Sequence, residues 1–264
     1  MFKNQLETVK YLDQLGMRTS QDHLLVDVPR GLSPFLGMQI LQNWVDSGSG
    51  AACMVVPRPH LVSEMIDVAA HMGITAVSAE QSGTLLNYKQ VSVVSLRTAI
   101  SNLPLDGCLV FFEAGQCADE LVNLFTMNIP FYTYLYDEVK ALFDPSSPMQ
   151  SDHPFDVASE DWIRQADHVK AIIRDYEAYS SLEERFQLLE GIFSSCRCSI
   201  SSSTISITAT DFPKRQLGVL ASAAQRVFLV PPEVDRIWVA DVFDVQDLPA
   251  LSGAVDAPLS ARLF

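Results

Sequence analysis

Cysteine is sparse in this sequence and basic runs are missing, and both deficits narrow what the chain can be. Five cysteines, an odd number without framework spacing, offer no disulfide scaffold, so a reducing compartment is expected, cytoplasmic or, in a eukaryote, nuclear. Cys196-Arg-Cys198 is the one close pair, and with neither a second pair nor nearby histidines it reads as free thiols rather than a zinc site. Met1 to Leu15 is amphipathic and polar, not a cleavable apolar leader. No stretch approaches the roughly 18 uninterrupted apolar residues of a membrane helix, so no span is expected. Eighteen Lys and Arg against 32 Asp and Glu give a formal charge of −14, which repels nucleic-acid backbone and anionic membrane unless the basic residues gather on one face. Low-complexity tracts are also missing. With 48% apolar and 19% charged residues over 264 positions, the chain is globular and long enough for one large domain or two ordinary ones.

What is there is organised around His23 to Phe35, HLLVDVPRGLSPF, where an apolar run enters a Pro/Arg/Gly turn and the amphipathic stretch Pro34 to Val45 follows at once. The nearly continuous apolar run Leu24 to Val28 predicts a central strand covered on both faces. Ahead of it, Phe2, Leu6, Val9, Leu12 and Leu15 recur at helical spacing and Gly16 closes the helix. Further strands are predicted over Cys53 to Val56, Ile74 to Val77, Val91 to Ser95 and Cys108 to Phe112. Helices are predicted over Leu61 to His71, Leu96 to Leu103 and Ala118 to Phe125. Such alternation predicts crossover units and a mainly parallel sheet.

Phe131 to Leu135 is one more strand candidate, after which the pattern changes. A polar, proline-bearing loop leads into helices Glu160 to Tyr179 and Leu182 to Phe193, the second opened by the capping box Ser181-x-x-Glu184. Strand chemistry returns at Thr204 to Ala209. A helix from about Lys214 to Gln225 and strands Val227 to Val230 and Arg236 to Ala240 complete the reading.

The turn after the first strand is where a nucleotide-binding α/β domain carries G-x-x-x-x-G-K-[ST], whose amides and lysine hold phosphates. Laid on that loop, the sequence keeps Gly31 but puts Pro34 at the lysine and Phe35 at the magnesium-binding hydroxyl. In order and spacing, the pieces resemble the first RecA-like domain of superfamily-two (DExH-type) helicases. Asn4-Gln5-Leu6-Glu7-Thr8-Val9 resembles the helix whose glutamine reads adenine. Met54 to Met65, MVVPRPHLVSEM, is similar to the nucleic-acid-contacting P-T-R-x-L segment, and Val93-Val94-Ser95-Leu96 falls where a second such segment lies. Leu109 to Gly115 is similar to the D-E-x-H strand end, and Thr208-Ala209-Thr210 to the S/T-A-T motif.

The resemblance covers roughly residues 1 to 230. It implies an α/β, three-layer RecA-like (P-loop NTPase-like) fold with a mainly parallel sheet, built from residues 1–137 and 200–264, and a helical insertion over 138–199. It further implies that Gln5, Arg30, Gly31, Ser33 and Glu113 mark a vestigial nucleotide site, and that Arg58, His60, Arg97 and Lys214 are the nucleic-acid contacts. Each also has an ordinary reading: Gln5 as a solvated polar residue, Arg58 as half of a surface ion pair.

Phosphoryl transfer rests on positioning and charge neutralisation, so the lysine and the metal-binding acid are indispensable. Pro34, Phe35 and Phe112 replace the lysine, the hydroxyl and the magnesium aspartate, Gly115 replaces the histidine, and Glu113 alone keeps the place of the water-activating acid. The expectation is a catalytically inactive helicase-like protein without catalytic residues, metal or cofactor, acting as a scaffold or regulatory subunit that binds protein partners in a larger complex. The helical insertion, with Trp162, Ile163, Ile172, Ile173, Tyr176, Phe186, Leu188 and Ile192, is either the docking surface or its own core. The alternative is a non-hydrolysing nucleic-acid-binding module of a replication, repair or RNA-processing assembly, which the net charge opposes.

Other α/β enzymes fit less well. A methyltransferase needs a G-x-G-type loop and an acidic end to the second strand, but Gly31 stands alone and that strand ends in Val56-Pro57. A hydrolase needs G-x-S-x-G, of which Gly31-Leu32-Ser33 is half. Asp152-His153 and Asp167-His168 read as surface pairs, and Leu259 to Phe264 as a docking peptide or a packed end.

Overall fold

A computed structural model of the chain describes residues 24–28, 31–80, 89–102, 107–143, 155–176, 180–210 and 225–243. The expected N-terminal helix, the helix after Lys214 and the final segment lie outside the described residues, as do Gln5, Arg30 and Lys214. In chain order, β1 (Leu24–Asp27) leads to α1 (Ser33–Asp46), β2 (Ala52–Val56), α2 (His60–His71), β3 (Ala76–Ser78), β4 (Val91–Ser95), α3 (Leu96–Asn102), β5 (Cys108–Phe111) and α4 (Ala114–Leu124). Then come β6 (Thr126–Pro130), α5 (Tyr134–Ala141), β7 (Phe155–Asp156), α6 (Ser159–Asp175), α7 (Ser180–Leu189), a 3-10 segment (Glu190–Ser195), β8 (Cys196–Ile200) and β9 (Thr204–Ala209). The chain ends its described course with β10 (Gln225–Val230) and α8 (Arg236–Val242). Two compact units result, Met1–Leu121 with Arg215–Phe264, and Val122–Lys214.

The first unit is built on a six-stranded sheet, β1-β10-β5-β2-β4-β3, in which every pairing is parallel. Its strands are mostly apolar because helices flank the sheet, and β2, β4, β5 and β10 are buried at every position, including the polar Ser92, Ser95, Gln225 and Arg226. Leu36, Met38, Ile40 and Leu41 of α1 and Val62, Met65 and Ala69 of α2 pack on the face presented by Val26, Met54, Val93, Val110 and Leu229. On β5 and β10, Phe111 and Phe228 stack at 4.7 Å, and Phe243, just past α8, lies 4.9 and 5.0 Å from them. Gly37 lets α1 approach closely, since a Cβ there would stand 2.7 Å from the Met54 methyl. Gly73, with φ of +74°, ends α2 as the sequence predicts.

Two expectations for this unit are corrected. The first strand is not central: among the described residues β1 pairs only with β10 and stands at the end of the sheet, because an apolar run reports coverage of both faces, not neighbours on both edges. Arg236 to Ala240 is helical, not a strand. Asp235 caps it by accepting from the backbone N–H of Ile237 (2.9 Å) and Trp238 (3.4 Å), and that bond competes successfully with strand pairing.

The second unit is larger than the expected helical insertion over 138–199 and is not all helical. It carries a four-stranded antiparallel sheet, β6-β9-β8-β7, with register pairs such as Asn128↔Ser206 and Cys198↔Ile207. Phe131 to Leu135 is no strand. The strand is the preceding Thr126–Pro130, and Thr133 caps α5 by accepting from the Tyr136 N–H. Helices α6 and α7 and the 3-10 segment bury Trp162, Val169, Ile173, Phe186, Leu189 and Phe193. The Trp162 indole N–H donates to the Phe193 carbonyl at 3.0 Å, and its ring lies 5.9 Å from Phe143 and 5.3 Å from Phe193. Arg185 donates to the carbonyls of Asn123 and Thr126, neutralising the carboxyl end of α4.

Candidate functional site at the carboxyl edge of the parallel sheet

Parallel register brings the carboxyl ends of the strands to one edge, where open α/β sheets bind ligands. The pairs Asp27↔Val230, Phe228↔Phe111, Phe111↔Val55 and Val56↔Ser95 set there the segments that leave β1, β10, β5, β2 and β4. Gly31, Ser33, Arg58, His60, Arg97 and Glu113 all belong to those segments.

At the end of β1, Asp27 accepts a charge-assisted hydrogen bond from Arg236, the first residue of α8, while its other oxygen is buried without a partner. Gly31 is exposed in the turn, and a Cβ on it would meet nothing within 4 Å, so the turn does not demand glycine there. Ser33 opens α1, and its hydroxyl is buried and unpartnered. Pro34 follows in the first helical turn, where its missing N–H costs nothing.

At the end of β5, Phe112 belongs to the hydrophobic core. Glu113 is largely buried and has φ of +51°, alone among the described non-glycine residues in having positive φ. Its carboxylate accepts from the Gln116 side chain at 3.4 Å, and its carbonyl accepts from the Cys117 N–H at 3.0 Å. Gly115 is packed under Val234, from the segment between β10 and α8. A histidine there would have to displace that valine.

Beyond β2, Arg58 is exposed and pairs with Glu120 at 3.8 Å, a weak surface contact. His60 is exposed at the first position of α2, and Arg97 is exposed on α3. Sequence reasoning missed Glu80, which follows β3. Its carboxylate accepts from the Ser95 N–H, the Ser95 hydroxyl (3.1 Å) and the Thr98 hydroxyl (3.0 Å). The start of α3, where the second nucleic-acid-contacting segment was expected, is thus capped by an acidic side chain of the same chain. The Ser95 hydroxyl also accepts from the Thr98 N–H at 3.4 Å, and no local pattern could have pointed to Glu80.

The first two residues of Thr208-Ala209-Thr210 are not in the parallel sheet. Thr208 and Ala209 lie in β9, within the antiparallel sheet of the second unit, while the residues emerging between β1 and β5 are Pro231 to Asp235. Among the described residues no three His, Cys, Asp or Glu side chains converge to hold a metal ion, and no helix is long and apolar enough to cross a membrane.

This architecture, a six-stranded parallel sheet between helices with its candidate site at the strand ends, is a helicase-like RecA fold. The chain is similar to Xpd4 of S. tokodaii, with a TM-score of 0.56 at 12% identity over 88% of this chain and 58% of that one. It is also similar to an XPD helicase structure (TM-score 0.52, 11% identity, 93% of this chain, 60% of that one) and to an apo XPD structure (0.50, 11%, 86% and 53%). The chain therefore spans between 53% and 60% of the length of these solved structures, and at such identities the likeness shows the fold alone. No protein-family model matches the sequence, and no curated protein does.

Proposed function

We propose that this chain is a catalytically inactive helicase-like protein that serves as a scaffold or regulatory subunit through protein contacts. The observation that carries this reading is the apolar filling of the edge where phosphate and metal chemistry would take place. Phe112 is part of the core, Val234 occupies the space over Gly115, and Pro34 stands in the first turn of α1 where a lysine would be needed. Arg236 is engaged by Asp27, and Glu113 has no metal-binding acid beside it in sequence. Phosphoryl transfer needs charge neutralised at the transferring group, and these side chains supply none. The test is turnover of magnesium-ATP by the purified chain. No phosphate release above the buffer rate is expected, and release that disappears in Glu113→Gln overturns the reading.

A second reading, a non-hydrolysing nucleic-acid-binding module, draws on the exposure of Arg58, His60 and Arg97 beyond the adjoining ends of β2 and β4. Glu80 at the start of α3 and the charge of −14 weigh against it. It predicts oligonucleotide binding that weakens steeply with salt and falls in Arg58→Ala. Absent or salt-independent binding removes it.

A further inference from the structure

Of the five large apolar side chains exposed among the described residues, three fall within four consecutive positions of the second unit: Phe131 at 56%, Tyr132 at 78% and Tyr134 at 80%. The backbone under them is tied down. The Phe131 N–H donates to Ser203 O (3.0 Å), and the Thr133 hydroxyl donates to Pro130 O (2.7 Å) while accepting from the Tyr136 N–H (3.2 Å). The Tyr136 hydroxyl donates to Ser201 O (2.6 Å). Phe131 and Tyr132 meet edge to face at 5.7 Å. Aromatic rings held out on a closed turn lose little freedom on binding, which is why such groups anchor interfaces.

The charge beside these rings selects the partner. Asp137 and Glu138 are exposed three and four residues after Tyr134, on the same side of α5, and Glu138 also accepts the Tyr176 hydroxyl at 3.4 Å. From Thr126 to Ala141 the sole basic residue is Lys140, which is half-buried with its ammonium 5.6 Å from the Tyr136 ring. Within this stretch, phosphates and anionic lipid headgroups find two exposed carboxylates and no fully exposed cation. A guanidinium fits both parts, because its plane stacks on an aromatic face and its fork binds a carboxylate, whereas an ammonium offers only a point charge.

We propose that Phe131, Tyr132 and Tyr134, with Asp137 and Glu138, form a docking tip for an arginine-bearing segment of a partner protein. This deepens the scaffold reading, and because it is read by peptide binding rather than by ATP turnover, either can fail without the other. The probe is a short labelled peptide alternating arginine and proline, followed by fluorescence anisotropy on the full chain, with its lysine counterpart, a short single-stranded oligonucleotide and phosphatidylcholine vesicles as comparisons. The arginine peptide is expected to bind about threefold or more tighter than the lysine peptide. Its affinity should fall about tenfold in Tyr132→Ala/Tyr134→Ala and again in Asp137→Asn/Glu138→Gln, with unchanged thermal unfolding showing both variants folded. No binding, equal affinity for the two peptides, or binding unchanged in the tyrosine variant overturns the proposal. Oligonucleotide or vesicle binding lost in that same variant also overturns it, and assigns the tip to that ligand.

Discussion

Val234 sits directly against Gly115: a Cβ on the glycine would stand 2.7 Å from one valine methyl and 3.1 Å from the other. Helix propensity alone favours alanine over glycine by up to about 1 kcal/mol. Overpacking opposes it by about 1–3 kcal/mol, and a contact this short puts the net effect on the destabilising side. Gly115→Ala should therefore lower the urea midpoint, and Val234→Ala in the same chain should restore part of it. Strict additivity of the two changes would show that the contact is not the cause.

Glu113 holds a left-handed backbone conformation at the end of β5. Glu113→Gly and Glu113→Val both delete the carboxylate, so their difference reports what a β-branched side chain costs at this positive φ. The valine variant should be less stable than the glycine variant by about 2 kcal/mol, measured by denaturant unfolding. Equal stabilities would mean that the turn relaxes to negative φ.

Arg236 and Asp27 join the start of α8 to the end of β1, with 34% and 15% of their side chains exposed. Arg236→Met strands a mostly buried carboxylate and should cost about 1–3 kcal/mol. Adding Asp27→Asn should return much of that loss, because the uncompensated charge goes with it. A double variant as unstable as the sum of the single variants would contradict the pairing.

All five cysteines are buried and free. Burial pushes the Cys108, Cys196 and Cys198 thiols up to about 12, and raises Cys53 and Cys117 as well, from an ordinary value of 9.0. Between pH 9 and 12 the unfolded chain releases these protons while the folded chain keeps them, so stability is intact below pH 9 and falls as pH rises through that window. Native protein at pH 8 should react with a disulfide reagent only as fast as it unfolds, and denatured protein should titrate five thiols at once. A fast-reacting thiol in the native state would refute the burial.

Trp162 and Ile163 separate core from surface on α6. Trp162 is 1% exposed and Ile163 63%. Trp162→Ala should cost about 3–5 kcal/mol and leave the Phe193 carbonyl without its donor, while Ile163→Ser should stay within about 0.5 kcal/mol. Comparable losses in thermal unfolding would show that α6 packs on another face. Of the residues the sequence offered as either a docking surface or a core, Trp162, Ile173 and Phe186 are core and Ile163 is exposed, while three further exposed aromatic side chains cluster at Phe131, Tyr132 and Tyr134.

The parallel sheet was legible because its strands are short apolar runs separated by helical periods, and burial on both faces leaves that trace without reference to distant residues. Val91–Ser95 falls within the predicted limits, and β2, β5 and β10 differ from theirs by one or two residues. The second sheet also left a trace. Thr204-Ile205-Ser206-Ile207-Thr208-Ala209 alternates polar with apolar, and its burial alternates with it, as in an antiparallel sheet covered on one face. The resemblance of Thr208-Ala209-Thr210 to a helicase motif drew it into the wrong sheet.

The sequence by itself determined the class of fold, since the alternation of apolar runs with helical periods is written residue by residue. Only the tertiary structure decided that β1 ends the described sheet, that Val234 lies over Gly115, that Arg236 holds Asp27 and that Glu80 caps α3. These pairs are separated by 15 to 209 positions along the chain, and strand order and long-range packing arise from loop closure and burial that no local window contains.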